Sequence, residues 1–168
     1  IQAFAQLRKR DPSLHLLLLN ALYPVPESKQ ELDNCRALIQ QLGISHDVTV
    51  LTDFLPDEEC VSTLQVADLI VYPYQQTQES SSAAVRMGIA SGAPVAVTPL
   101  SIFDDVGDAV YRLPGVLPAE LAAGIHAILS DRDLQQKQIS QAHAWAQSRQ
   151  WPWLSNRLLN LIDVLQNE

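Results

Sequence analysis

ESSSAAVRMGIASGAPVAVT, Glu79 to Thr98, holds a polar turn, a small-residue helix, a glycine stop and a buried strand in twenty residues. Ser80, Ser81 and Ser82 stand where side-chain oxygens cap a helix while its first backbone N–H groups remain free for an anion. The helix runs through AAVRMGIAS to Gly92, a natural C-terminal stop, and Pro94 opens the β-branched strand VAVT. That is the layout of a phosphate or sugar-nucleotide site, with the carboxylate of Glu79 just ahead of the helix.

The flanking chain alternates in the same way. Ile1, Phe4, Ala5 and Leu7 have helical spacing, Asp11-Pro12 breaks it, and Leu14 to Leu19 reads as a buried strand. After the loop ALYPVPES, Leu32, Cys35, Leu38, Ile39 and Leu42 mark an amphipathic helix over Lys29 to Leu42, stopped by Gly43. Val48 to Leu51 is a short strand, and Asp57-Glu58-Glu59 starts a helix to Val66 with acids at its positive end. Ala67 to Tyr72 and Ala109 to Leu113 read as further strands, and Pro118 to Leu129, Leu134 to Arg149 and Trp153 to Gln166 as helices. Strands apolar on both faces, alternating with helices, predict an α/β domain: a Rossmann-like parallel sheet of about five strands with helices on both faces. Ligands of such sheets bind beyond the carboxyl ends of the strands, where the loops Tyr72 to Gln78 and Pro99 to Asp105 would meet.

Composition narrows the function classes. With 168 residues, 47% of them hydrophobic, one substantial core and a single domain over 1–168 are expected. A net charge of −8, with no basic cluster beyond Arg8, Lys9 and Arg10, argues against nucleic-acid partners. Cys35 and Cys60 are too few and too isolated for a disulfide framework or zinc site, so buried inert thiols in a reducing compartment are expected. No apolar run approaches the roughly 20 residues of a membrane span. The sequence opens inside a helical pattern without an initiator Met, which reads as an N-terminally truncated piece of a larger protein.

The ordered series AFAQLRKRDPSLHLLLL, HDVTVLTDFLPDEECVSTLQVADLIVYPY and Glu79 to Thr98 resembles, over nearly the whole chain, the C-terminal nucleotide-sugar-binding domain of GT-B glycosyltransferases of family 4. These are retaining enzymes, many of which build bacterial polysaccharide and lipopolysaccharide. The resemblance implies transfer of a sugar from a nucleotide-sugar donor to a glycan or lipid-linked glycan acceptor, without a cofactor or bound metal. It implies a cytoplasmic location, with room for peripheral attachment at the inner face of the cell membrane. It also implies an N-terminal domain of the same protein, absent here, that carries most of the acceptor site and toward which the helix at 152–168 would pack. A fragment lacking that domain, and the upstream Arg and Lys that neutralise the donor diphosphate, would bind donor weakly and not turn over.

The family's E-x7-E motif places its first Glu beside the donor sugar and its second on the ribose. Glu79 matches the first, as the catalytic candidate, but the second position is Met87, and a thioether cannot accept two hydroxyl hydrogen bonds as a carboxylate does. The family's phenylalanine and glycine after the first Glu are replaced by serines. The backbone N–H groups of Ser81 and Ser82 would face phosphate or sugar, Tyr74 would line the sugar pocket, and Asp53 and Phe54 would lie beside the base. Phe54 also reads as a core residue of a plain loop, and Tyr74 as packing. Arg86, about 20° off the Glu79 face if both are helical, would pair with that acid, reach a phosphate or stand in solvent. Asp104 and Asp105 lack a third ligand, so no metal is expected. Trp145, Trp151 and Trp153 would anchor the C-terminal helices to the sheet, an exposed one marking an interface. A non-catalytic GT-B-like domain that binds a nucleotide sugar or a protein is the alternative.

Overall fold

Short apolar runs bounded by Pro, Gly and Asp turns form the strands, and longer 3.6-periodic runs form the helices between them. The computed structural model describes residues 1–166. Its elements are α1 (Gln2–Arg8), β1 (Leu16–Leu19), α2 (Pro26–Gln41), β2 (Val48–Leu51), α3 (Asp57–Gln65), β3 (Ile70–Tyr72), α4 (Ala83–Ser91) and β4 (Val95–Val97). A 3₁₀ segment (Ser101–Ala109), β5 (Tyr111–Arg112), α5 (Pro118–Ser130), α6 (Arg132–Gln147) and α7 (Trp151–Gln166) complete it.

Every strand pairing is parallel. The single sheet of about five strands needs one correction: the ladders form two sheets, β1–β2 and β3–β4–β5, and none joins β1 to β3. Helices cover both faces. On one side, Phe4 and Ala5 of α1 and Ile39 of α2 pack on Leu16, Leu18, Val48 and Val50. Ala3 and Leu7 of α1, with Leu121 and Ala122 of α5, pack on Leu69, Val71 and Ala96. The other side of the three-stranded sheet holds the largest core, where Val85 and Ile89 of α4 meet Ile70, Val95, Val97, Ile102, Phe103 and Val106.

The helix ends follow local chemistry. Ser82 caps α4, its Oγ accepting from the Val85 N–H at 3.3 Å. Gly92 closes the same helix at φ 84°, the left-handed conformation that a Cβ disfavours. A Cβ there would meet nothing within 4 Å, so Gly92→Ala is expected to cost only the backbone term, about 1–2 kcal/mol, read from the urea midpoint at unchanged m-value.

Two expectations are revised. Trp145 packs on the core, but Trp151 and Trp153 are 83% and 47% exposed, because α7 buries none of its residues against the rest of the chain. Cys35 and Cys60 are free but only half-buried, since each lies on a helix flank rather than in the sheet core. His15 is exposed and hydrogen-bonded across the strand pair to Thr49 Oγ1 at 2.8 Å. The helix expected over 152–168 is α7 as far as Gln166; Asn167 and Glu168 lie outside the described residues.

Candidate functional site

Parallel strands carry the loops that follow them to the same end of the sheet, and at that end β3 and β4 deliver the segments 73–82 and 99–101 beside the N-terminus of α4. The two loops are stitched together. Thr98 is fully buried, its N–H donating to Tyr72 O at 3.3 Å and its Oγ1 to Tyr74 O at 2.8 Å. The Tyr74 hydroxyl lies 3.1 Å from Ser82 Oγ, and its ring meets Phe103 at a centroid distance of 5.2 Å. The Tyr74 ring therefore serves packing and its hydroxyl reaches the cap of α4, so one side chain ties the strand end, the helix start and the 3₁₀ segment.

Beneath it, Tyr72 stacks edge-on against Tyr74, and its hydroxyl donates to Ala84 O at 2.6 Å. Gly88 makes this possible, because a Cβ at that position would fall 2.8 Å from the Tyr72 hydroxyl. Burial, with lesser help from Tyr74 and Cys60, pushes the Tyr72 phenol up to about 12 from its ordinary 10.0. The folded state thus holds the proton more tightly than the unfolded chain, so this contribution is complete below pH 10 and is lost as pH rises from 10 toward 12. Stability measured across that window is expected to fall, and Tyr72→Phe to remove this part of the fall.

Glu79 sits on the exposed loop ahead of α4, its backbone N–H donating to Thr77 Oγ1 at 3.2 Å. Ser80 and Ser81 are exposed beside it, whereas Ser82 is buried as the cap. α4 begins at Ala83 with Ser82 as its N-cap, so the helix-start N–H groups are those of Ser82, Ala83 and Ala84, Val85 being bonded to the cap. Met87 is half-buried and shares a helix face with exposed Ala83 and Ala90.

Arg86 pairs with Asp105 rather than with Glu79 and keeps 41% of its side chain exposed to solvent. Its guanidinium donates to Ser82 O at 2.6 Å and pairs with Asp105. Asp104 turns the opposite way to Arg112, at 3.1 Å, while Arg112 also holds Leu100 O and Phe103 O. The two adjacent acids are thereby spent on fastening the 3₁₀ segment to α4 and β5. Sequence spacing gave no sign of this, because Arg86 and Asp105 are 19 residues apart. Among the described residues, no group of three or more His, Cys, Asp and Glu is placed to hold a metal ion.

Asp53 and Phe54 follow β2 at the same end of the fold, both exposed, and Phe54 is 88% exposed, which removes the reading of it as a core residue. Leu22 N–H bonds to Thr52 O at 2.8 Å, so the loop after β1 lies alongside. The structure connects Tyr74 and Ser82 directly; Asp53 and Phe54 come from the other sheet. One shallow hollow is lined by residues of α1 with Leu42 and Pro118, another lies between α4 and α6, and neither is lined by Glu79. No helix of the described residues is long and apolar enough to cross a membrane.

A carboxylate and a helix start at the carboxyl ends of parallel strands stand where α/β sheets bind their ligands. Residues 1–145 match the family model "Glycosyl transferases group 1", and the chain belongs to that family. It is 32% identical, over 95% of its length, to a D-inositol 3-phosphate glycosyltransferase of Nocardia farcinica, but spans only 35% of that protein. Among solved structures it is similar to the sucrose-phosphate synthase of Thermosynechococcus elongatus, with a TM-score of 0.77 at 17% identity, covering 99% of this chain and 42% of that one. The Anabaena protein HepE in complex with UDP gives a TM-score of 0.71 at 14% identity, covering 99% and 53%. These structures establish a shared GT-B-type fold, of which this chain corresponds to the C-terminal domain.

Proposed function

We propose that this chain is the donor-binding domain of a retaining, family 4-type glycosyltransferase that moves a sugar from a nucleotide-sugar donor to a glycan or lipid-linked glycan in bacterial surface polysaccharide synthesis. The observation that carries the reading is the meeting of Glu79 and the α4 start at the carboxyl ends of β3 and β4 in a group 1 glycosyl transferase. The UDP held by the HepE structure supports a uridine diphosphate donor.

In this reading Glu79 orients the donor sugar, and the Ala83 and Ala84 N–H groups, at the positive end of α4, stabilise charge on the departing diphosphate without a metal. Ser80 and Ser81 border the sugar, Ser82 and Tyr74 fix the loop geometry, and Asp53 and Phe54 border the base. A second domain closes the exposed strand ends from above, supplies the acceptor site, and receives the apolar flank of α7. The cytoplasm, where nucleotide sugars are available, is the proposed location.

Met87 favours a second reading, a non-catalytic domain, because the ribose carboxylate is gone. Calorimetry with a panel of nucleotide sugars on the two-domain protein, paired with a transfer assay, separates the two: binding with transfer supports the enzyme, and absence of binding to every donor overturns it. Met87→Glu is a sharper probe. A restored carboxylate is expected to tighten donor binding roughly tenfold, in line with about 1.5 kcal/mol for a hydrogen bond to a charged group, and an unchanged Kd would contradict the assignment of this position to the ribose.

A further inference from the structure

Arg86 stands in the first turn of α4, where a positive charge opposes the helix dipole and no acid of that turn offsets it. Side chains on a helix lean toward its N-terminus, and the guanidinium accordingly reaches back to Ser82 O at 2.6 Å while pairing with Asp105 of the 3₁₀ segment. Asp105 thus supplies the missing counter-charge from 19 residues away in sequence. The bridge does little for folding, because both partners are partly exposed and such pairs are nearly neutral for stability. Its geometric effect is larger. Ser82 O and the Ala83 N–H belong to one planar trans peptide and point in opposite directions, so a guanidinium that holds the carbonyl also aims the N–H. The side chain of Ser82 is fixed as well: its Oγ accepts from the Val85 N–H at 3.3 Å and lies 3.1 Å from the Tyr74 hydroxyl.

We propose that Arg86 is a positioning residue for sugar transfer: anchored by Asp105, it fixes the Ser82–Ala83 peptide so that the Ala83 N–H faces the departing diphosphate. The inference rests on the function proposed above, which gives that N–H to the diphosphate, and adds what orients it. Preorganised donors stabilise developing charge because they need not turn during the reaction, and a peptide free to rock loses that advantage. Arginine suits the task for a geometric reason. Its planar fork spans two acceptors, whereas a lysine ammonium is a point charge on a flexible stem. The anchor is itself held: Asp105 lies between Phe103 and Val106, both fully buried, and next to Asp104, which pairs with Arg112. Arg86 acts through the peptide and not by touching the donor.

The test uses this chain joined to the proposed second domain and reads nucleoside diphosphate release from a panel of UDP- and GDP-hexoses, together with the Ala83 amide resonance. Arg86→Gln is expected to lower kcat and kcat/KM together by roughly 10- to 100-fold. Arg86→Lys is expected to fall as far. Asp105→Asn, remote from Ala83 in sequence, is expected to move the Ala83 amide and to add no further loss of release to Arg86→Gln, since both act through one peptide. Arg8→Gln controls for stability: it breaks the Arg8–Asp47 pair, which is more buried than the Arg86 pair and lies ahead of β2, and is expected to lower the urea midpoint at least as far with release unchanged. Release within twofold of wild type in Arg86→Gln, or an Ala83 amide unmoved by Asp105→Asn, would overturn the inference and leave the proposed function standing. So would recovery in Arg86→Lys, which would assign the charge itself to the donor. Absence of release by the wild type with every donor would overturn the proposed function, and this inference with it.

Discussion

On the proposed function, Glu79→Ala in a protein that pairs this chain with the proposed second domain is expected to lower sugar transfer at least about 100-fold while leaving stability within about 0.5 kcal/mol. The two halves of that expectation come from different facts. A group that meets charge or orients a reacting sugar in the transition state contributes about 2.7–4 kcal/mol to catalysis. Glu79 is exposed, and only its backbone N–H is engaged, with Thr77; surface changes away from such features are nearly neutral for folding. Steady-state transfer rates and a denaturant titration on the same preparation read the two halves separately. Transfer at the wild-type rate would remove Glu79 from the chemistry.

The second large effect lies underneath. Phe103→Ala is expected to destabilise the chain by about 3–5 kcal/mol, the usual cost of emptying an aromatic site in a packed core. Phe103 is fully buried, touches the Tyr74 ring and sits in the segment that Arg86 and Arg112 fasten through Asp105 and Asp104. Loss of this ring removes the floor under Tyr74 and thus loosens the loop that carries Glu79. A drop in the urea midpoint accompanied by weaker donor binding is the expected pair of results. Asp104 and Asp105 alone would not give it, because partly exposed ion pairs contribute about 0–1 kcal/mol.

The fold was legible wherever periodicity and turn chemistry agreed. Val48 to Leu51 and the Ser82–Gly92 helix limits follow from β-branched composition, a serine cap and a glycine stop, and they appear at those residues. Pro99 to Asp105 was read as loop, whereas Ser101–Ala109 is a 3₁₀ segment interrupted at Gly107, with φ 51°; Ile102, Phe103, Val106 and Ala109 have helix-like spacing, but the run is too short and too broken by Gly107 to stand out. The division of the sheet was equally hidden. Composition says that a strand is buried, not which strand lies beside it.

The candidate site was legible in its backbone and not in its ion pairs. The loop position of Glu79, the cap at Ser82 and the strand-end position of Tyr74 could be read because they are local features. The Arg86 ion pair could not, because Asp105 approaches only through the tertiary fold. α7 shows the same limit from the other side: its leucines and tryptophans are a burial pattern, yet within this chain they are exposed.

The central claim is that a nucleotide sugar docks on the carboxyl ends of the strands beside Glu79. Its most direct test is an NMR titration of this chain joined to the proposed second domain, carrying isotope label in residues 1–168, with UDP-sugars, following backbone amides. The account predicts saturable shifts concentrated in residues 77–84 and 53–55. Absence of shifts at millimolar ligand, or shifts confined to the hollow between α4 and α6 around Ile139 and His143, would contradict it.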